Sequence, residues 1–223
     1  MFQRRSTERF LDRRDAGRQL VDLLSAVLPA AEPPGLLVLG LPRGGVVVAD
    51  ELATGLPAEL DVLIVRKVAH PSRPELALGA VTAAGAFRNE ELLRRLGVST
   101  REFEELADVQ VAEVRRRELQ FRADRAALAL SGRTVLVVDD GLATGATATA
   151  ALRAARAHQP AWLGFAVPVG SASAAAAVGP EADRVVCPLI PSTFLSVSRF
   201  YRDFPQTSDE EVRDIMKRSR PPR

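Results

Sequence analysis

Val135-Leu-Val-Val-Asp-Asp-Gly-Leu-Ala-Thr-Gly-Ala-Thr147 decides how this chain is read. Four aliphatic residues run into two adjacent carboxylates, then a small-residue loop with two threonines, then the alanine-rich start of a helix. A parallel strand buried on both faces reads as such a run, and open α/β sheets bind ligands at the carboxyl ends of their strands. The loop can aim backbone N–H groups and threonine hydroxyls at an anion, with the positive end of the next helix behind them. Asp139 and Asp140 stand where carboxylates accept hydrogen bonds from sugar hydroxyls or organise a hydrated cation. A sugar phosphate satisfies both halves at once. Other phosphate loops fit worse: no Gly-x-Gly-x-x-Gly follows the strand, and the Lys-Ser or Lys-Thr pair of a P-loop is missing.

Working outward, strand-like runs alternate with helical patterns. An amphipathic helix is expected over 12–28, a short buried strand at 36–40, a loop at 41–45 and a helix over 46–53. A second strand is expected at 59–65 and a third at 78–83, the latter paired with a short strand near Phe87 and Arg88, with Gly79 and Gly85 at the bends. The segment 99–130 reads as a charged helix opened by a Ser99-x-x-Glu102 capping box. Strands at 162–167 and 184–187 flank an alanine-rich helix over 171–178, and a last helix starts at Ser208 with Glu211 completing a second box. Strands alternating with helices imply an α/β fold, a mostly parallel central sheet with helices on both faces. One domain over 1–223 is expected: a core of about 36–187, the N-terminal helix, and a hood and C-terminal segment of about 188–218.

Bulk properties bound the function. At 223 residues and 47% hydrophobic, the chain can bury one good core. A single cysteine, Cys187, excludes an intramolecular disulfide and a cysteine zinc cluster, as suits a reducing compartment. The first ten residues lack the apolar core of a signal peptide and no apolar stretch reaches membrane-spanning length, so a cytoplasmic location is expected. Net charge is only +2, with a pI near 9.2 and just two lysines, Lys67 and Lys217. So small a surplus argues against nucleic acid as a partner. The arginines of 115–117, with Arg122 and Arg125, motivate a rival reading as a regulator that senses nucleotides while binding RNA or DNA; interleaved Glu113 and Glu118 favour a solvated helix face instead.

The signature at 137–147 resembles that of the type I phosphoribosyltransferases, which bind 5-phosphoribosyl 1-pyrophosphate (PRPP). The resemblance covers roughly 36–187. It implies that Asp139 and Asp140 are catalytic residues holding the ribose hydroxyls, and Mg²⁺ through water, while Gly141, Leu142, Ala143, Thr144, Gly145, Ala146 and Thr147 form the donor loop around the 5′-phosphate. Arg43, Gly44 and Gly45 are similar to the family's pyrophosphate loop: glycines allow close backbone approach and an arginine offers a planar donor fork. Arg66 and Lys67 resemble the Arg-Lys pair that enters a mobile loop in adenine and orotate phosphoribosyltransferases. By that likeness Lys67 would neutralise departing pyrophosphate, and 68–75, with His70 and Arg73, would be the loop. The family's acceptor hood often supplies a stacking ring; Phe194, Phe200, Tyr201 and Phe204 are candidates, or else they pack the final helix. Two positions depart from the pattern. Ala143 stands where 6-oxopurine enzymes carry an acid, so that position cannot act as a general base. Gly141 replaces a bulky aliphatic residue and is expected to loosen the loop. The implied reaction is Mg²⁺-dependent transfer of ribose 5-phosphate from PRPP to a nitrogen of a small, nucleobase-like acceptor, with pyrophosphate released; a homodimer is left open.

Overall fold

Alternation within the apolar runs determines which helices lie on each face of the sheet. The computed structural model describes residues 9–28, 35–82, 85–122, 125 and 129–219. Strands β1 (Leu36–Gly40), β2 (Ala58–Val62), β6 (Thr134–Val138), β7 (Trp162–Ala166) and β8 (Arg184–Val186) form one sheet in the order β2-β1-β6-β7-β8, every neighbouring pair parallel. Successive side chains of a strand point to opposite faces. Accordingly Leu36, Val38, Leu60, Val62, Leu136 and Val138 pack with helices α1 (Arg13–Ser25), α2 (Gly44–Gly55), α4 (Thr100–Arg122) and α7 (Asp209–Arg218). Leu37, Leu39, Val135, Val137, Leu163 and Phe165 pack with α5 (Ala146–Arg156) and α6 (Ala172–Val178) on the other side. Burying each such side chain stabilises the fold by roughly 1.5–3 kcal/mol relative to exposure. No described helix is long and apolar enough to cross a membrane.

A second, antiparallel sheet of β3 (Arg66–His70), β4 (Arg73–Thr82) and β5 (Gly85–Arg88) packs on α4 and α5 as a hood. This corrects the loop expected at 68–75, which instead forms the β3–β4 hairpin. Buried apolar positions are scattered, at Val68, Leu78, Ala80 and Val81, and a register shift between Val68 and His70 breaks the alternation. Gly79 is no bend: it lies inside β4, where an added Cβ would stand 2.7 Å from the Phe103 ring of α4. A short helix not expected from the sequence, α3 (Glu90–Leu96), is capped by Asn89 and ended by Gly97 with a left-handed φ of 69°. The charged helix expected over 99–130 is described as α4 to Arg122, Arg125 is not helical, and 123–124 and 126–128 lie outside the described residues. The Ser99 box forms as expected: the Glu102 amide donates to Ser99 Oγ (3.2 Å) and the Ser99 amide to Glu102 Oε2 (2.7 Å).

Candidate functional site

In this strand order β1 leads to β2 on one side while its other neighbour is β6, so the order reverses between β1 and β6; ligand crevices open at such a switch point. Both strands end there in a loop that enters a helix: 41–43 enters α2 and 139–145 enters α5. Five α-helices have their first turns capped by side chains, from Asp12, Asn89, Ser99, Ser171 and Ser208. In α2 and α5 the N-cap residues, Arg43 and Gly145, give no side-chain cap, although the Ala146 amide of α5 reaches Thr144 Oγ1 at 3.4 Å. A helix start without a cap presents backbone N–H groups and a positive dipole end, which together suit a phosphate. Helix α2 begins two residues earlier than expected, so Gly44 and Gly45 form its first turn; the Pro42–Arg43 peptide before them is cis.

The acid pair lies against those glycines. A Cβ on Gly45 would stand 2.6 Å from the Val138 carbonyl oxygen and 2.8 Å from Asp139 Cα, and one on Gly44 would stand 2.6 Å from Asp140 Cγ. Only glycine allows the first turn of α2 to come this close to the carboxylates. The Asp140 amide donates to Asp139 Oδ1 (2.9 Å). Burial, and then the neighbouring Asp140 charge, push the Asp139 carboxyl well above the usual carboxylate range. Burial also raises Asp140, against the opposing pull of Arg13, whose Nε donates to Asp140 Oδ2 at 2.7 Å.

Beside the pair opens a cleft of about 390 Å³, lined by Leu41 and Pro42, the strand end at 63–65, Arg66 and Lys67, Arg117 of α4, and Ala146, Thr147 and Ala150 of α5. Three cations and the first turn of α5 face it, and no carboxylate stands in its wall among the described residues. Lys67 Nζ donates to the Pro74 carbonyl (2.7 Å) and Arg66 Nε to Gln110 Oε1 (3.3 Å). His70 and Arg73 pair at the hairpin tip, where His70 Nδ1 accepts from the Ser72 amide (3.2 Å). Arg43 instead meets Asp209 of α7 at 3.3 Å.

The 139–145 loop is braced. Leu142 bridges to Gly170, and the Ser171 hydroxyl donates to the Ala143 carbonyl (2.8 Å). Thr144 and Thr147 are exposed, while Gly145 takes a φ of 80° at the start of α5. Gly141 does not slacken the loop: Val197 packs on it so closely that a Cβ there would stand 2.6 Å from Val197 Cγ2. Phe194 and Phe200 stack on each other at 5.6 Å. Tyr201 is only 2% exposed, packed between Phe10 and Phe204, and donates its hydroxyl to the Asp140 carbonyl (2.6 Å). Its ring is therefore walled in by the protein. The arginine-rich helix divides likewise: Arg116 and Arg117 pair with Glu113, whereas Arg122 is buried against Asp61, and Arg125, just beyond the helix, reaches the Leu60 and Met216 carbonyls. Arg13 and Asp209 had no local sequence signal, and Arg117 stood out only as part of an arginine cluster, since each meets the site from an element distant in the chain.

The model of the phosphoribosyl transferase domain matches residues 31–205. A Mycobacterium tuberculosis protein, named provisionally as a phosphoribosyl transferase, is 44% identical over 211 residues, 94% of this chain and 47% of that one. The crystal structure of TT1426 from Thermus thermophilus superposes with a TM-score of 0.84 at 41% identity, covering 93% of this chain and 97% of that one. A parallel sheet with an acid pair at its switch point defines a class, and this chain belongs to the phosphoribosyl transferase family. It spans about half the length of the curated relatives it matches.

Proposed function

We propose that the chain transfers ribose 5-phosphate from PRPP to a nitrogen of a small, nucleobase-like acceptor and releases pyrophosphate. The observation that carries this reading is the meeting, at one switch point, of a half-buried acid pair with the starts of α2 and α5, whose N-cap residues Arg43 and Gly145 make no side-chain cap. The α5 start, with Thr144 and Thr147, would hold the 5′-phosphate; the α2 start with Arg43, Gly44 and Gly45, together with Arg66 and Lys67, would receive the pyrophosphate. Asp139 and Asp140 would accept hydrogen bonds from the ribose hydroxyls and offset positive charge growing on the ring as the C1′–O bond to pyrophosphate breaks and the C1′–N bond forms. The acceptor nitrogen gives up its proton. Ala143 cannot take it, so the base lies elsewhere or is solvent.

The residues fit Mg²⁺. Among the described residues no three His, Cys, Asp or Glu gather as an all-protein cage. Two adjacent carboxylates beside an anion cleft are the donor set Mg²⁺ takes when substrate phosphates and water supply the remainder. When bound, it would neutralise charge on the leaving pyrophosphate. Phe194 and Phe200, rather than the enclosed Tyr201, would offer apolar surface to the acceptor. The nucleic-acid reading loses support, since Arg122 and Arg125 turn into the protein. Calorimetry tests the assignment: wild type should bind PRPP with Mg²⁺, and Asp139→Asn with Asp140→Asn should weaken it by about 100-fold or more, the loss of two charge-assisted hydrogen bonds. Unchanged affinity in the double variant would sink it, and pyrophosphate release across a panel of bases would identify the acceptor.

A further inference from the structure

We propose that Arg13, contributed by the N-terminal helix, is a positioning residue of the donor site: it fixes the Asp140 carboxylate for the ribose and depends on the C-terminal segment to do so. This rests on the function proposed above. Arg13 lies 127 positions before Asp140, yet their side chains are only 10% and 18% exposed and meet at 2.7 Å. The guanidinium is fixed in three directions. Nε–H donates to Asp140 Oδ2, Nη1–H donates to the Pro205 carbonyl at 2.7 Å, and Cζ lies 3.6 Å from the centre of the Phe204 ring. An arginine offers a rigid fork with a stackable face, so a donor used up on each side leaves it little freedom to turn.

The same segment clamps the rest of the acid-pair loop. Val197 seats on Gly141, and Tyr201 donates its hydroxyl to the Asp140 carbonyl. The segment is itself stitched to the residues before α1: the Phe10 amide donates to the Phe200 carbonyl (2.9 Å), the Arg202 amide to the Phe10 carbonyl (2.8 Å) and the Asp203 amide to the Leu11 carbonyl (2.9 Å). The N-terminal helix and the 197–205 segment thus meet at one residue, Asp140, the first through its carboxylate and the second through its carbonyl. Arg13 takes Oδ2, which leaves Oδ1 for a ribose hydroxyl. Gly44 must be glycine here as well, because its Cβ would stand 2.8 Å from Arg13 Nε. Arg13 touches no reacting atom; it acts through Asp140.

The test compares two probes by calorimetry on the full chain: ribose 5-phosphate, which needs the acid pair, and inorganic phosphate, which needs only the donor loop. Arg13→Gln should lose roughly 10- to 100-fold in ribose 5-phosphate affinity, the range for a hydrogen bond to a charged group, with inorganic phosphate nearly unchanged. Arg13→Lys, which keeps the charge but not the fork, should recover part of the loss. If Arg13→Gln fails to fold, Phe204→Leu retains the arginine and removes its floor, and should show a smaller loss of the same selectivity. Equal weakening of both probes, or of neither, overturns the positioning role. Wild type binding ribose 5-phosphate no better than phosphate overturns the functional reading itself, and the role with it.

Discussion

Asp139 shows how one side chain can serve the site at the expense of the fold. Its folded carboxyl holds its proton to higher pH than the unfolded one, because burial and Asp140 disfavour the charged form. Stability from that proton is fully present below the ordinary carboxylate range and is lost as pH rises through the raised value. As pH rises above the ordinary carboxylate range, the ligand-free protein therefore loses stability through this residue. Asp139→Asn, nearly isosteric and unable to ionise, should melt higher than wild type at pH 7 in chelator, by on the order of 1 kcal/mol or a few degrees. The gain should shrink as the buffer approaches pH 4. Melts showing the variant less stable at pH 7, or a gain independent of pH, would contradict this account.

At the scale of elements, helix caps mark the division between scaffold and site. Ser171 belongs to both: its Oγ accepts from the Ala174 amide at 3.1 Å to start α6 and donates to Ala143 in the donor loop. Ser171→Ala should cost about 1 kcal/mol in thermal melts, as a lost cap does, and should weaken inorganic phosphate binding severalfold by releasing the loop. Loss of stability with unaltered phosphate affinity would separate the two roles and refute the second. Much at this scale was legible beforehand. Runs such as 36–40 and 135–138 announce buried strands, and Ser99 and Ser208 announce helix starts, because those signals are local. The β3–β4 hairpin was not legible: its bulge breaks the period and Pro71, Ser72, Arg73 and Pro74 mimic a loop. The acid pair could be read from its own stretch, whereas Arg13 could not, since its partner is 127 positions away and a helix arginine ordinarily faces water.

Across the whole molecule, the helical layer over β2 is tied down by charge. Asp61, fourth residue of β2, receives both Nε and Nη2 of Arg122 at 3.0 Å, with side-chain exposures of 5% and 6%. Arg125 approaches the same carboxylate at 3.7 Å and donates to the Leu60 carbonyl (2.6 Å), the Met216 carbonyl (2.7 Å) and Ser219 Oγ (2.9 Å). One carboxylate thus joins the central sheet, the end of α4 and the end of α7, elements that meet only in the folded state. The net worth of such a pair over an apolar replacement is small, but removing one partner strands buried charge. Asp61→Ala should therefore cost about 3–5 kcal/mol, far more than breaking the exposed Arg94–Glu91 pair, which should cost at most about 1 kcal/mol. Urea unfolding of the two variants side by side measures the difference. Similar midpoints would mean that the layer is held by its apolar face alone, through Val212, Ile215 and Met216, and that the buried carboxylate contributes little to joining the layers.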